Sequence, residues 1–252
     1  MVGLSGTDVY RDLHRSDSAA RRGHASLSAA DAIVLLQEDA RTQLDTSLHA
    51  KCRVIHQSVR GMRSQPAKAV RHFQVVVVGH LRGVKDPMLT AMASRQLPCE
   101  SRIQVRHLGG ILESRFEKQV QREMTRQNSR YLWLGSRPHG TVLHEIARSH
   151  LLVLTSRMEG GANVIGEAIT VGTPVVSTRV SGSVGLLGDD YPGLFEVGGD
   201  TELAGLMSRC ETDSAFLDAL RVRCEQKRSL FEPEAEKAAW SRLLADVCCS
   251  DS

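Results

Sequence analysis

The chain has 252 residues, is 41% hydrophobic and 24% charged, and carries a net charge of +3 from 32 basic and 29 acidic residues. Such a length builds one large domain or two smaller ones around a real core, and near-balanced charge without one-sign blocks argues against a nucleic-acid surface. Apolar runs such as 75–78 and 151–154 fall far short of the roughly 20 residues that a membrane helix needs. The six cysteines show no CxxC or paired spacing and no secretory leader is visible, so reduced thiols and a cytoplasmic location are expected.

The opening "MVGLSGTD" reads as the end of a strand running into a glycine turn. "AADAIVLLQ" (29–37) and "AKCRVIHQ" (50–57) read as strands with a short amphipathic helix at 38–48 between them, a β-α-β unit within residues 1–60. Residues 61–72 are polar, basic and broken by Gly61 and Pro66, the composition of a linker between domains. A regular rhythm follows, with strand-like runs at 73–81, 101–110, 129–138, 150–160, 173–182 and 193–199 and helix-like runs at 87–96, 111–126, 140–149 and 163–171. Nearly continuous apolar strands alternating with helices are what a parallel sheet covered on both faces requires, so residues 73–232 are expected to form a doubly wound α/β domain. Helices at 201–210, 214–230 and 233–247 close the chain, the second behind Asp213 as a cap, the third with Pro233 in its first turn, and 248–252 is a tail.

In an open α/β sheet, ligands bind beyond the carboxyl ends of the strands, which singles out three places. In "GHLRGVKDP", Arg82 and Lys85 precede Pro87, which suits a first helical turn. Two cations there could meet a diphosphate, Arg as a fork and Lys as a point charge, although the same stretch also suits a solvated basic turn. In "RMEGGANVIGEA", Glu159 is read as ending a strand, Gly160 and Gly161 permit close backbone approach, and Asn163 begins a helix. The amides of 161–164 would face an incoming anion and Glu167 could accept from sugar hydroxyls; the plainer alternative is a dipole-favouring Glu159 and a surface Glu167. In "SGTDVYRD", Gly6, Thr7 and Asp8 form a turn that serves equally as a helix cap or as part of a site. His80 and His107 end strands, where a lone histidine is more often structural. No Walker loop, no Ser-His-Asp set, no metal-ligand spacing and no DxD occurs, so a metal-free site without a cofactor is implied.

These residues, in this order, resemble the donor half of GT-B glycosyltransferases of family 4, whose signature E-x7-E matches Glu159 and Glu167. The resemblance implies a GT-B-like fold with a complete Rossmann-type donor domain and a helix, here 233–247, crossing back to the acceptor side. It implies that Arg82 and Lys85 hold the donor diphosphate, Glu159 the donor sugar and Glu167 the ribose. Gly160, Gly161, Ala162, Asn163 and Val164 would meet the diphosphate and sugar, and Arg137 and Pro138 would hold the base. Arg82, Lys85 and Glu159 are then the catalytic candidates, and Gly6, Thr7, Asp8 and His80 the acceptor-side ones.

A narrower resemblance runs along nearly the whole chain through "SGTDVYRDLH", "VVVGHLRGVKDP", "LTSRMEGGANVIGEAI" and "GSVGLLGDDYPGLFEVG", which are similar to the selenosugar synthases of selenoneine biosynthesis. It implies transfer from UDP-N-acetylglucosamine or UDP-glucose to selenophosphate, giving a 1-seleno-sugar. The chain departs from the family pattern in its first half: it begins at what would be the middle of the acceptor domain, and the early glycine-rich loop has no counterpart. Truncation is therefore expected, and two other readings stay open, a hydroxyl acceptor (sugar, lipid or small molecule) and a non-catalytic UDP-sugar-binding fragment.

Overall fold

The computed structural model describes residues 1–249; residues 250–252 of the expected tail lie outside the described residues. Two parallel sheets account for all the named strands. The smaller has the order β1-β2-β3, built from Val2–Gly3, Ile33–Leu35 and Cys52–Val54. All three residues of β2 are buried, so this sheet needs a cover on each face. Ile33 and Leu35 point to one side and pack with Leu13, Leu44 and Leu27, the last from α1 (Ser18–Ala29). Val34 points to the other side and packs with Ile55 and Leu243, where Trp240 and Ala239 of α9 (Pro233–Cys249) join it. The C-terminal helix thus covers the second face of the N-terminal sheet.

One local expectation fails here for an identifiable reason. The helix expected at 38–48 is two 3-10 turns, Glu38–Gln43 and Thr46–Lys51. Asp45 separates them, because its carboxylate accepts from the Ser47 amide at 2.9 Å and starts the second turn afresh. A helix that the sequence pattern did not announce, α1, makes the crossover from β1 to β2 in the polar stretch "SAARRGHASLSA", where Asp17 caps the first turn by accepting from the Ala19 and Ala20 amides, each at 3.0 Å.

The connection that follows is anchored: the Val59 amide donates to the Phe231 carbonyl at 2.9 Å, and Lys68 Nζ donates to the Ser149 carbonyl at 2.6 Å and to Thr173 Oγ1 at 3.1 Å. Burial pushes the Lys68 ammonium down to about 8.

The larger sheet has the order β6-β5-β4-β7-β8-β9, all parallel, from Phe73–Val78 (β4), Ile103–Leu108 (β5), Tyr131–Gly135 (β6), Leu151–Leu154 (β7), Val175–Thr178 (β8) and Leu194–Phe195 (β9). Its helices are α2 (Leu89–Ser94), α3 (Arg115–Met124), α4 (His139–Arg148), α5 (Asn163–Thr170), α6 (Ser181–Leu187), α7 (Asp200–Thr212) and α8 (Ser214–Glu225). Crossovers from β4 step one way along the sheet and those from β7 the other, so right-handed connections send α2 and α5 to opposite faces. Pro87 stands outside α2, not in its first turn, and α3 starts later than expected because Ile111 bridges to Leu81 and prolongs the sheet. The expected strand at 173–182 ends at Thr178, and α6 begins at Ser181. The helix expected at 214–230 stops at Glu225 and is followed by a 3-10 turn, Arg228–Phe231; Asp213 does cap it, accepting from the Phe216 amide at 3.0 Å.

Candidate active site

β4 and β7 are neighbours whose following helices leave to opposite faces, which opens a crevice beyond their carboxyl ends. The loop after β7 holds the loop after β4. Thr155 Oγ1 donates to the carbonyls of Lys85 and Asp86 at 2.9 and 3.0 Å, and the Arg157 amide donates to the Val84 carbonyl at 2.8 Å. The Arg157 guanidinium closes on the Asp86 carboxylate at 2.7 Å, and Asp86 takes the left-handed conformation with φ 42°. So held, Lys85 forms an ion pair with Glu159, whose same oxygen accepts from the Ser156 hydroxyl. The two side chains are 21% and 10% exposed, so the pair sits at the bottom of the crevice and not on the open surface.

Glu159 does not end a strand: β7 stops at Leu154, and the carboxylate reaches the crevice from the loop that follows. Beyond it, Ala162 is buried and Asn163, the first residue of α5, is exposed. No side chain caps this helix start, and Val164 completes the first turn half-buried. Amides there remain open to an anion. Glu167 lies one turn further, 14% exposed, with its Oε1 2.9 Å from Nε2 of His139.

The glycine turn has a use that its sequence did not show. A Cβ on Gly160 would stand 2.1 Å from the Gly6 nitrogen, one on Gly6 2.6 Å from the Gly160 nitrogen, and one on Gly161 2.6 Å from Leu36 Cβ. Both glycines are needed because loops of the small sheet press directly on this turn.

The remaining candidates divide. Arg82 is exposed at the crevice rim, beside Glu113, whose carboxylate accepts from the Gly83 amide at 2.7 Å and lies below its usual range chiefly for that reason. Arg137 and Pro138 are exposed after β6, and the Pro138 carbonyl accepts from the Thr141 and Val142 amides at the start of α4. Thr7 is exposed. The Asp8 carboxylate turns back on Ser5, accepting from its amide at 2.9 Å and its hydroxyl at 2.7 Å, as a local cap does. His80 is exposed, with Nδ1 accepting from the Gly110 amide at 3.0 Å across the loops after β4 and β5. His107 is structural: fully buried, it bonds the Gly79 carbonyl through Nε2 at 2.9 Å and the Tyr131 hydroxyl through Nδ1 at 2.8 Å, and burial pushes its pKa down to about 4.

Sequence reasoning missed the seam and one partner. Tyr10 and Ser181 hydroxyls lie 2.6 Å apart, and the buried Gln37 amide donates to the Tyr10 hydroxyl at 2.8 Å. No local pattern links residues so distant in sequence. His139 was equally invisible, since only the fold sets α4 beside α5. Among the described residues, no group of three or more His, Cys, Asp or Glu could hold a metal ion, and no helix is long and apolar enough to cross a membrane.

Residues 60–228, which span this crevice, match the family model for Glycosyl transferases group 1. The chain belongs to the group 1 glycosyltransferases. It is 26% identical over 211 residues to glycosyltransferase 1 domain-containing protein 1 of Xenopus tropicalis, an alignment covering 76% of this chain and 60% of that relative. The chain therefore spans less than two thirds of that relative's length. Among solved structures it is similar to Anabaena HepE in complex with UDP and glucose, with a TM-score of 0.79 at 19% identity over 97% of this chain and 71% of the other. A sucrose-phosphate synthase from Thermosynechococcus elongatus gives a TM-score of 0.79 at 18% identity, covering 97% and 66%. The fold of this group 1 glycosyltransferase is accordingly α/β and GT-B-like.

Proposed function

We propose that the chain is a family 4 glycosyltransferase that binds a UDP-sugar in the crevice after β4 and β7 and transfers the sugar to selenophosphate. The observation that carries the donor reading is the convergence of Lys85, Glu159, the uncapped start of α5 and Glu167 on one crevice. UDP and UDP-glucose complexes of HepE, a protein of similar fold, support the same donor class. In this reading the diphosphate takes over Lys85 and adds Arg82 and the α5 amides, the sugar hydroxyls take Glu159, and the ribose takes Glu167. The base lies by Arg137 and Pro138.

Breaking the anomeric C–O bond sends its electron pair to the diphosphate oxygen, and fixed cations and amides there favour the transition state over the ground state. A selenium lone pair forms the new C–Se bond, and water then cuts the P–Se bond to release phosphate and the 1-seleno-sugar. Selenophosphate is already an anionic nucleophile, so the step requires less from a general base than a hydroxyl acceptor would. The acceptor assignment rests on the phrases shared with selenosugar synthases. UDP release is followed with UDP-glucose or UDP-N-acetylglucosamine, offering selenophosphate against simple sugar and alcohol acceptors. Faster release with selenophosphate supports the assignment; release driven only by hydroxyl acceptors replaces it, and saturable UDP binding with no turnover makes the chain a donor-binding fragment.

A further inference from the structure

The pair formed by Glu167 and His139 has a feature that the donor reading leaves unused. Glu167 sits on α5 and His139 is the first residue of α4, 28 positions earlier, so the contact exists only because the two helices start side by side. His139 follows directly on Arg137 and Pro138, and its imidazole is 69% exposed, whereas Glu167 is 14% exposed. A single side-chain contact with one partner largely exposed contributes little to stability, so holding the fold together is a poor account of it. What the contact does fix is direction. A carboxylate offers two oxygens and about four acceptor sites, and engaging Oε1 through Nε2 restrains the rotation of the group while using only one of its two oxygens.

We infer that His139 is a positioning residue for nucleotide recognition: it orients the Glu167 carboxylate so that the group receives the vicinal hydroxyls of a ribose. The inference rests on the donor reading above. The ligand class is a ribonucleoside diphosphate with both ribose hydroxyls present. A diol held by an oriented carboxylate has two charge-assisted hydrogen bonds to lose, and a carboxylate free to rotate must be ordered at the moment of binding. His139 also joins the loop that would hold the base to the group that would hold the ribose, so both ends of the nucleoside meet one rigid corner.

The test measures binding of UDP and of 2′,3′-dideoxy-UDP to the chain and to His139→Ala, His139→Gln and Glu167→Gln by calorimetry. Gln is chosen because its Nε2 stands the same number of bonds from the backbone as that of His. Expected are about tenfold weaker UDP binding in His139→Ala, recovery to within about twofold in His139→Gln, and no change in the already weaker binding of dideoxy-UDP. Unchanged UDP affinity in His139→Ala, or an equal loss for UDP and dideoxy-UDP, overturns the positioning role while leaving the donor reading intact. No UDP binding by the unaltered chain overturns the donor reading, and this inference with it.

Discussion

The two sheets solve the same covering problem in opposite ways. The six-stranded sheet draws its helices from the segments between its own strands, so α2 and α5 cover opposite faces without leaving residues 73–200. The three-stranded sheet takes α1 from its own crossover but borrows α9 from the far end of the chain, which seats Leu243 against Val34 and Ile55. Its other dependence is the seam, where Gly6 and Leu36 press on Gly160 and Gly161 beside the crevice. The smaller half thus takes part of its cover from contacts distant in sequence, and those of the seam fall on the loop that carries Glu159. A self-sufficient half can hold a ligand-binding geometry alone; a dependent half can respond to it.

The most severe way to break this contrast is Leu243→Asp. A carboxylate on a side chain only 2% exposed, among apolar neighbours, costs about 3 to 5 kcal/mol and falls on the small sheet alone. Hydrogen exchange should show β2 amides losing most of their protection while β4 and β7 amides keep theirs. Equal loss in both sheets would show one cooperative unit and remove the distinction.

The larger half should have an acid weakness of its own in His107. Its folded pKa is about 4 against the ordinary 6.5, so on acidification the unfolded chain binds a proton that the folded chain refuses. The stability contributed by the neutral ring is complete above pH 6.5 and is lost as pH falls toward 4, by roughly 3 kcal/mol. Denaturant unfolding across this window should show that slope, and His107→Gln, which keeps a donor for the Gly79 carbonyl, should flatten it. The same slope in both proteins would assign the acid sensitivity to other groups.

A milder change tests whether the proposed donor crevice belongs to the larger half. Lys85→Ala removes the cation paired with Glu159 but leaves the Ser156 hydroxyl on that carboxylate. UDP affinity should fall about 10- to 100-fold by calorimetry, the range for a hydrogen bond to a charged group, while the protection of both sheets stays near its original level. Unchanged affinity would take Lys85 out of the site.

The unequal dependence of the halves also explains what the sequence disclosed. Runs such as "FQVVVV" and "LLVL" announce strands buried on both faces, and the glutamates at 159 and 167 follow one of them closely enough to be read as a site. The small sheet was harder. Its crossover helix α1 is held mainly by the Asp17 cap and two buried side chains, Ala20 and Leu27, so it has little apolar periodicity to detect. Gly160 and Gly161 were legible as a close approach, but the approaching group, Gly6 and Leu36, belongs to a long-range contact that no local pattern encodes. His139 shows the same limit: its nearness to Glu167 follows from the order in which α4 and α5 pack.

The smallest expected effect is the most discriminating. Tyr10, Gln37 and Ser181 form a hydrogen-bonded polar cluster across the seam, Tyr10 and Gln37 on the small half and Ser181 on the large. Tyr10→Phe removes the central hydroxyl and leaves the Gln37 amide with Ser181 Oγ at 3.4 Å, a cost of about 1 kcal/mol. If the small half leans on the seam, that cost should appear as faster exchange of its amides alone. Ser181→Ala should produce the same change, and the double variant should fall short of the sum because both substitutions remove one interaction. UDP affinity should move by less than about twofold, since none of the three side chains is among the groups proposed to hold the donor. A larger change in affinity would mean that the seam tunes the position of Glu159, and the smaller half would then be a lever on the donor site as well as a structure that depends on it.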